Sequence, residues 1–196
     1  YDEKIAWLRL IRSQNVGPIT LFRLLRQFGN AELAIAYVEK LAANNARQKI
    51  KVCTIAEAKD EMAKAQSQNI HIIAYPEPEY PELLRHIEDA PPILYARGNI
   101  SVLKNKCVAM VGARNASLTA KNLAKTIADD LSLAGVCVVS GLARGVDSAA
   151  HLGALSNTNT NTASTIAVMA SGVDIVYPPE NLELYKNICE RGVVIS

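Results

Sequence analysis

Aromatic side chains are scarce in this sequence: seven tyrosines, two phenylalanines and one tryptophan make up 5% of its 196 residues. A surface built mainly on ring stacking is therefore not expected unless Tyr177 supplies it. Cysteine is nearly as sparse, and Cys53, Cys107, Cys137 and Cys189 form no C-x-x-C pair. Two of them fall in apolar, strand-like runs, where a thiol behaves as a small hydrophobe, so neither a disulfide framework nor a zinc site is expected. His71, His86 and His151 lack metal-ligand spacing, and no metal or cofactor is expected. Long hydrophobic runs are missing too. Val136–Val139 and Thr165–Ala170 fall far short of the roughly 20 residues of a membrane span, and no basic-then-apolar leader opens the chain. No membrane association is expected, and a cytoplasmic location is the default.

What is present suits a packed globular chain. The hydrophobic fraction of 49% can fill a core, and 196 residues allow one ordinary domain plus a small one. A net charge of +2 is too small to imply a polyanionic partner by itself, so the placement of charge matters more. Acidic residues are absent from Ile5 to Ala31, while Arg9, Arg12, Arg23 and Arg26 lie on two segments with helical apolar spacing, Ile5/Leu8/Ile11 and Leu21/Leu24/Leu25/Phe28. The joint "NVGPITLFRLL" breaks the first helix at Gly17–Pro18, and Thr20 can cap the second.

This joint is similar to the G-V-G-P-x-T-x-x-R-L-L helix-hairpin-helix of DNA repair and recombination proteins, with Asn15 in place of the first glycine, an exchange that a left-handed backbone tolerates. Two readings stand side by side. Arg12, Gly17 and Arg23 form a secondary DNA-binding site, or the segment is a plain helical turn with solvated arginines.

Helical patterns continue through "AELAIAYVEKLA" and "TIAEAKDEMAKAQSQ", separated by the polar "ANNARQK", so residues 1–68 read as a small all-helical domain. From Asn69 the texture changes. "NIHIIAY" and "ILYARG" are strands joined by a proline-rich connection with one short helix, and a second domain spans 69–196. Within it, "CVAMV", "VCVVS", "TIAVMA" and "VVIS" are apolar strands alternating with helices at "LTAKNLAKTIADDLSLA", "SAAHLGAL" and "LELYKNICER". The first of those helices carries an expected core stripe of Ala120, Leu123, Ala124, Ile127 and Leu131. Continuous apolar strands between helices predict an α/β fold, with a doubly wound, mostly parallel Rossmann-like sheet covered on both faces.

Such sheets bind ligands beyond the carboxyl ends of their strands. Those ends carry "GARNAS", "GLARGVD" and "SGVDIVYPPEN". Glycines there permit close backbone approach, Arg114 and Arg144 supply charge, and Ser117 or Thr119 and Asp147 are placed to cap the following helices. Arg144 has a second possible role, an internal ion pair with Asp147 or Asp174. The predicted anion-binding residues are Gly112, Ala113, Arg114, Asn115 and Ser117 of the first turn, Ser140, Gly141, Arg144 and Gly145 of the second, and Asn181 of the third.

The blocks "YPELLRHIEDAPPILYARGN", "VGARNAS", "VVSGLARGVDSAAHLGAL" and "TIAVMASGVDIVYPPEN" resemble the signature of the DNA-processing protein A (DprA/Smf) family, and the N-terminal part resembles its SAM-like domain. The G-S/A-R turn matches Gly112, Ala113 and Arg114. The S-G-x-A-x-G-x-D turn matches Ser140, Gly141, Ala143, Gly145 and Asp147. The resemblance implies a non-enzymatic protein that binds and protects single-stranded DNA without sequence specificity, assists loading of the RecA recombinase during natural transformation, and is a homodimer at full length. This sequence departs from the pattern at "NTNTNTAS", which reads as a polar surface loop, and at Pro179, where many relatives are basic. It also stops at Ser196 just inside a strand, where the resemblance implies further segments, so either a truncated or a naturally shortened chain is expected.

An enzymatic alternative is a nucleotide-binding hydrolase related to the lysine decarboxylase-like phosphoribohydrolases, but their P-G-G-x-G-T turn is absent. A grouping of Ser140, His151 and Asp147 lacks a G-x-S-x-G elbow, and His151 reads as a helix-surface histidine. With few aromatics, phosphate contacts dominate the expected binding, Tyr177 being the nearest stacking candidate.

Overall fold

The computed structural model describes residues 2–44, 51–156 and 165–196. The "NTNTNTAS" tract and most of "ANNARQK" lie outside the described residues. The chain divides into two compact units, Tyr1–Leu94 and Tyr95–Ser196.

The first unit holds helices α1 (Asp2–Arg12), α2 (Pro18–Phe28), α3 (Ala31–Asn44) and α4 (Ile55–Ser67), then strand β1 (His71–Ala74) and a 3-10 turn at Glu82–His86. Leu8, Leu10, Leu21 and Ala34 are fully buried where α1, α2 and α3 meet. Thr54 starts α4 with a reciprocal capping box: its hydroxyl accepts the Glu57 N–H while Glu57 accepts the Thr54 N–H. The compact unit runs past position 68 because Tyr75 stacks on Trp7 at 5.9 Å and β1 buries Ile72, Ile73 and Ala74.

The second unit carries strands β2 (Ile93–Gly98, from Tyr95 onward), β3 (Cys107–Ala109), β4 (Cys137–Ser140), β5 (Thr165–Val168) and β6 (Val193–Ile195). Helices α5 (Leu118–Leu133), α6 (Val146–Ala154) and α7 (Leu182–Arg191) connect β3 through β6. The strand order is β2-β6-β5-β4-β3, with β3 to β6 parallel and β2 antiparallel to β6. This is the α/β, Rossmann-like arrangement that the alternation of apolar strands and helices predicts. Val138, Val193 and Val194 are fully buried at its centre.

One detail of helix packing differs from the expected stripe. Within α5, Ala124 and Ala128 are buried, but Leu123 and Ile127 are 60% and 43% exposed. Small side chains win the interior face because α6 approaches so closely: a Cβ on Gly153 would lie 2.1 Å from the Lys125 carbonyl oxygen. Leucine cannot fit between two backbones at that spacing, so the helix turns its larger side chains outward.

Candidate nucleic-acid interface

Because β3, β4 and β5 run parallel, the turns that follow them leave the same edge of the sheet. Glycine first matters there for turn-to-turn packing. Gly145 has φ +84°, and a Cβ on it would meet the Ala113 carbonyl oxygen at 2.2 Å and that of Arg114 at 2.5 Å. A Cβ on Gly112 would come 2.7 Å from a methyl of Val146. Only glycine at these two positions lets the 112–117 and 140–147 turns press together.

Hydrogen bonds tie the same corner. The Ser140 hydroxyl donates to the Met110 carbonyl at 2.7 Å, and Ser140 is 3% exposed, so its side chain shapes the floor of the corner. Asp147 does not cap its own helix as expected. Its buried carboxylate accepts the Gly141 N–H across the turn at 3.2 Å, which occupies that amide, while Gly145 stands at the N-cap of α6. Ser117 caps α5 by accepting the Ala120 N–H, which decides between Ser117 and Thr119. Leu142 is left-handed at φ 55° and fully buried, a costly conformation for a branched residue. Asn181 holds it: its side-chain amide donates to the Leu142 carbonyl at 2.8 Å and to the Ser148 hydroxyl at 3.0 Å.

The two arginines differ. Arg144 pairs with Glu180, not with Asp147 or Asp174, because the third turn carries Glu180 to the rim. Glu180's carboxyl is held below its usual range by its own backbone N–H and by Arg144. Arg114 is exposed, with no ion pair or side-chain hydrogen bond among the described residues, beside exposed Gly112, Ala113 and Asn115. Between the turns lies a cavity of about 430 Å³ bounded by Arg114, Gly141, Arg144, Met169, Tyr177 and Pro178. Tyr177 is 66% exposed there. Met169 and Pro178 were not among the sequence-predicted site residues; Met169 directly follows the third strand and Pro178 lies in the turn beyond it, which is the signal that could have found them.

His151 is not a surface histidine. It is fully buried under α6, with Nδ1 2.7 Å from the Thr165 hydroxyl, which itself donates to the Val138 carbonyl at 2.6 Å. The imidazole and the Thr165 hydroxyl thus form one buried hydrogen-bonded pair beneath the helix. Burial pushes the imidazole pKa down to about 4. Ser140, His151 and Asp147 are thus bonded to three separate partners, which is no arrangement for nucleophilic catalysis.

In the first unit, Asn15 is left-handed at φ 64°, as its place in the hairpin requires. Gly17 is the N-cap of α2, and Thr20 lies within the helix instead of capping it. Arg12 holds Glu61 of α4 through both Nε and Nη2, and Arg9 donates to Glu39 and to the Cys53 carbonyl. Arg23 remains exposed.

Residues 71–196 match the family model for DNA recombination-mediator protein A, and residues 1–64 match the DprA-like N-terminal HHH domain. Protein Smf of Synechocystis sp. is 29% identical over all of this chain and 51% of its own length. DNA processing protein DprA of Bacillus subtilis is 30% identical over 69% of this chain and 44% of its own length. The chain therefore spans about half the length of these relatives. Among solved structures, DprA of Streptococcus pneumoniae superposes with a TM-score of 0.60 at 26% identity, over 92% of this chain and 67% of that one. DNA processing protein A of Helicobacter pylori, described for its single-stranded DNA binding mode, gives 0.57 at 27% identity, over 65% of this chain and 54% of that one. With the glycine-welded corner, the uncommitted Arg114 and family matches along nearly its whole length, this chain belongs to the DNA recombination-mediator protein A family.

Proposed function

We propose that this protein binds and protects single-stranded DNA, without sequence preference, at the rim formed by the 112–117 and 140–147 turns together with Asn181. The observation that carries this reading is Arg114: an exposed guanidinium with no partner among the described residues, on the wall of a 430 Å³ cavity, suited to a bidentate phosphate contact. Phosphate recognition supplies affinity that is strongly salt-dependent and indifferent to base identity. Tyr177 offers one stacking surface beside it. The single-stranded DNA binding described for the Helicobacter pylori relative supports the reading.

In the same proposal the protein works without catalysis, in the cytoplasm, assisting RecA loading as the family resemblance implies, and its full-length form is a homodimer. Residues 1–68 serve as a helical domain with a secondary DNA contact at Gly17 and Arg23, Arg12 being engaged with Glu61. Among the described residues no helix is long and apolar enough to cross a membrane.

Fluorescence anisotropy with oligonucleotides of varied sequence tests the main site. Arg114→Ala weakens binding to every sequence alike, by about 1–3 kcal/mol. It also lowers the slope of log K against log salt by about 0.7. Binding equal to the parent at every salt concentration would overturn the assignment.

A further inference from the structure

Arg114 and Arg144 stand between two depressions. Beyond the cavity already described, a second of about 510 Å³ shares both arginines and continues over α5 and α6. Its wall on α5 carries Lys121 and Lys125, both exposed, and neither makes an ion pair among the described residues. Four residues apart on one helix, they stand about 6 Å from each other along its axis, on a single face. The next position on that face is acidic: Asp129, which accepts the Ser156 hydroxyl and ends the basic run.

The helix that carries the lysines is packed closely on α6, with Gly153 lying against the α5 backbone at Lys125. Leu118 and Leu152, 74% and 48% exposed, line the same depression and put apolar surface beside the cations. Unpaired cations at regular spacing interleaved with exposed apolar side chains complement a polyanion with flat apolar faces, that is, a single strand of nucleic acid.

We propose that the bound strand does not end at the Arg114 rim but continues across α5, where Lys121 and Lys125 each take a phosphate and Leu118 and Leu152 support sugar or base faces. The proposal rests on the reading that the Arg114 cavity holds the strand.

Oligothymidylates of two lengths separate the two claims: one of about 4 nucleotides, enough for the cavity alone, and one of about 12, long enough to reach α5. The double variant Lys121→Gln/Lys125→Gln keeps good helix formers at exposed positions and should fold as the parent does. It is expected to bind the short oligomer like the parent, to bind the long one roughly tenfold more weakly at low salt, and to lose about 1.4 from its salt slope on the long oligomer alone. Arg114→Ala weakens both lengths. If the parent binds neither oligomer, the cavity reading fails and the extension with it. If Arg114→Ala weakens binding but the double variant matches the parent at both lengths, the α5 track alone is overturned. Equal losses at both lengths also overturn it, since they would mean a general field effect instead of a longer path.

Discussion

The side-chain amide of Asn181 donates to the carbonyl of Leu142 at 2.8 Å, and this bond holds a fully buried leucine at a positive φ of 55°. The third strand-end turn is thereby the support for the second. Asn181→Ala leaves the Leu142 carbonyl and the Ser148 hydroxyl short of a donor, and thermal unfolding should show a loss of about 1–3 kcal/mol. A variant as stable as the parent would mean that packing alone holds Leu142 in its conformation.

Two glycines give a controlled comparison. Gly135 and Gly145 both have positive φ, +78° and +84°, but a Cβ meets nothing within 4 Å at the first and the Ala113 oxygen at 2.2 Å at the second. Gly135→Ala should cost about 1 kcal/mol from left-handed strain alone. Gly145→Ala should cost well above that and should also weaken single-stranded DNA binding, because the two turns must separate. Chemical denaturation of both variants reads the difference, and equal costs would show that the turns do not press on each other.

The buried His151 makes stability depend on pH. Its folded pKa of about 4 lies below the ordinary value of 6.5, so the unfolded chain takes up the proton first. Its contribution is intact above pH 6.5 and is lost as pH falls from there toward 4. The loss should approach about 3 kcal/mol. His151→Gln removes this component: the difference in unfolding free energy between parent and variant should shrink as the pH is lowered through that window. A difference that stays constant would place the imidazole in contact with water.

Glu180 occupies Arg144 at the rim and adds a negative charge where a phosphate is proposed to lie. Glu180→Gln should tighten single-stranded DNA binding a few-fold and steepen its salt dependence, provided Arg144 then turns to the strand. Unchanged binding over a salt series would assign Arg144 to the turn's own structure.

Local sequence determined the order of elements and the positions of the turns. Apolar runs of strand length, helical spacing and glycines at strand ends act within a few residues, so "ILYARG" and "LELYKNICER" form β2 and α7 at their expected bounds. The resemblance in the strand-end blocks likewise pointed to the corner where Arg114 stands. Only tertiary structure decided what each polar group does there. Between Ile5 and Ala31 no acidic residue is present, yet Arg9 and Arg12 are neutralised by Glu39 and Glu61, 30 and 49 positions away, because α3 and α4 pack against α1. The same holds for Arg144 with Glu180 and for the burial of His151. The outward turn of Leu123 follows from the close approach of α6. Partners of this kind are set by which surfaces meet in three dimensions, and that depends on volumes and distances that no local periodicity encodes.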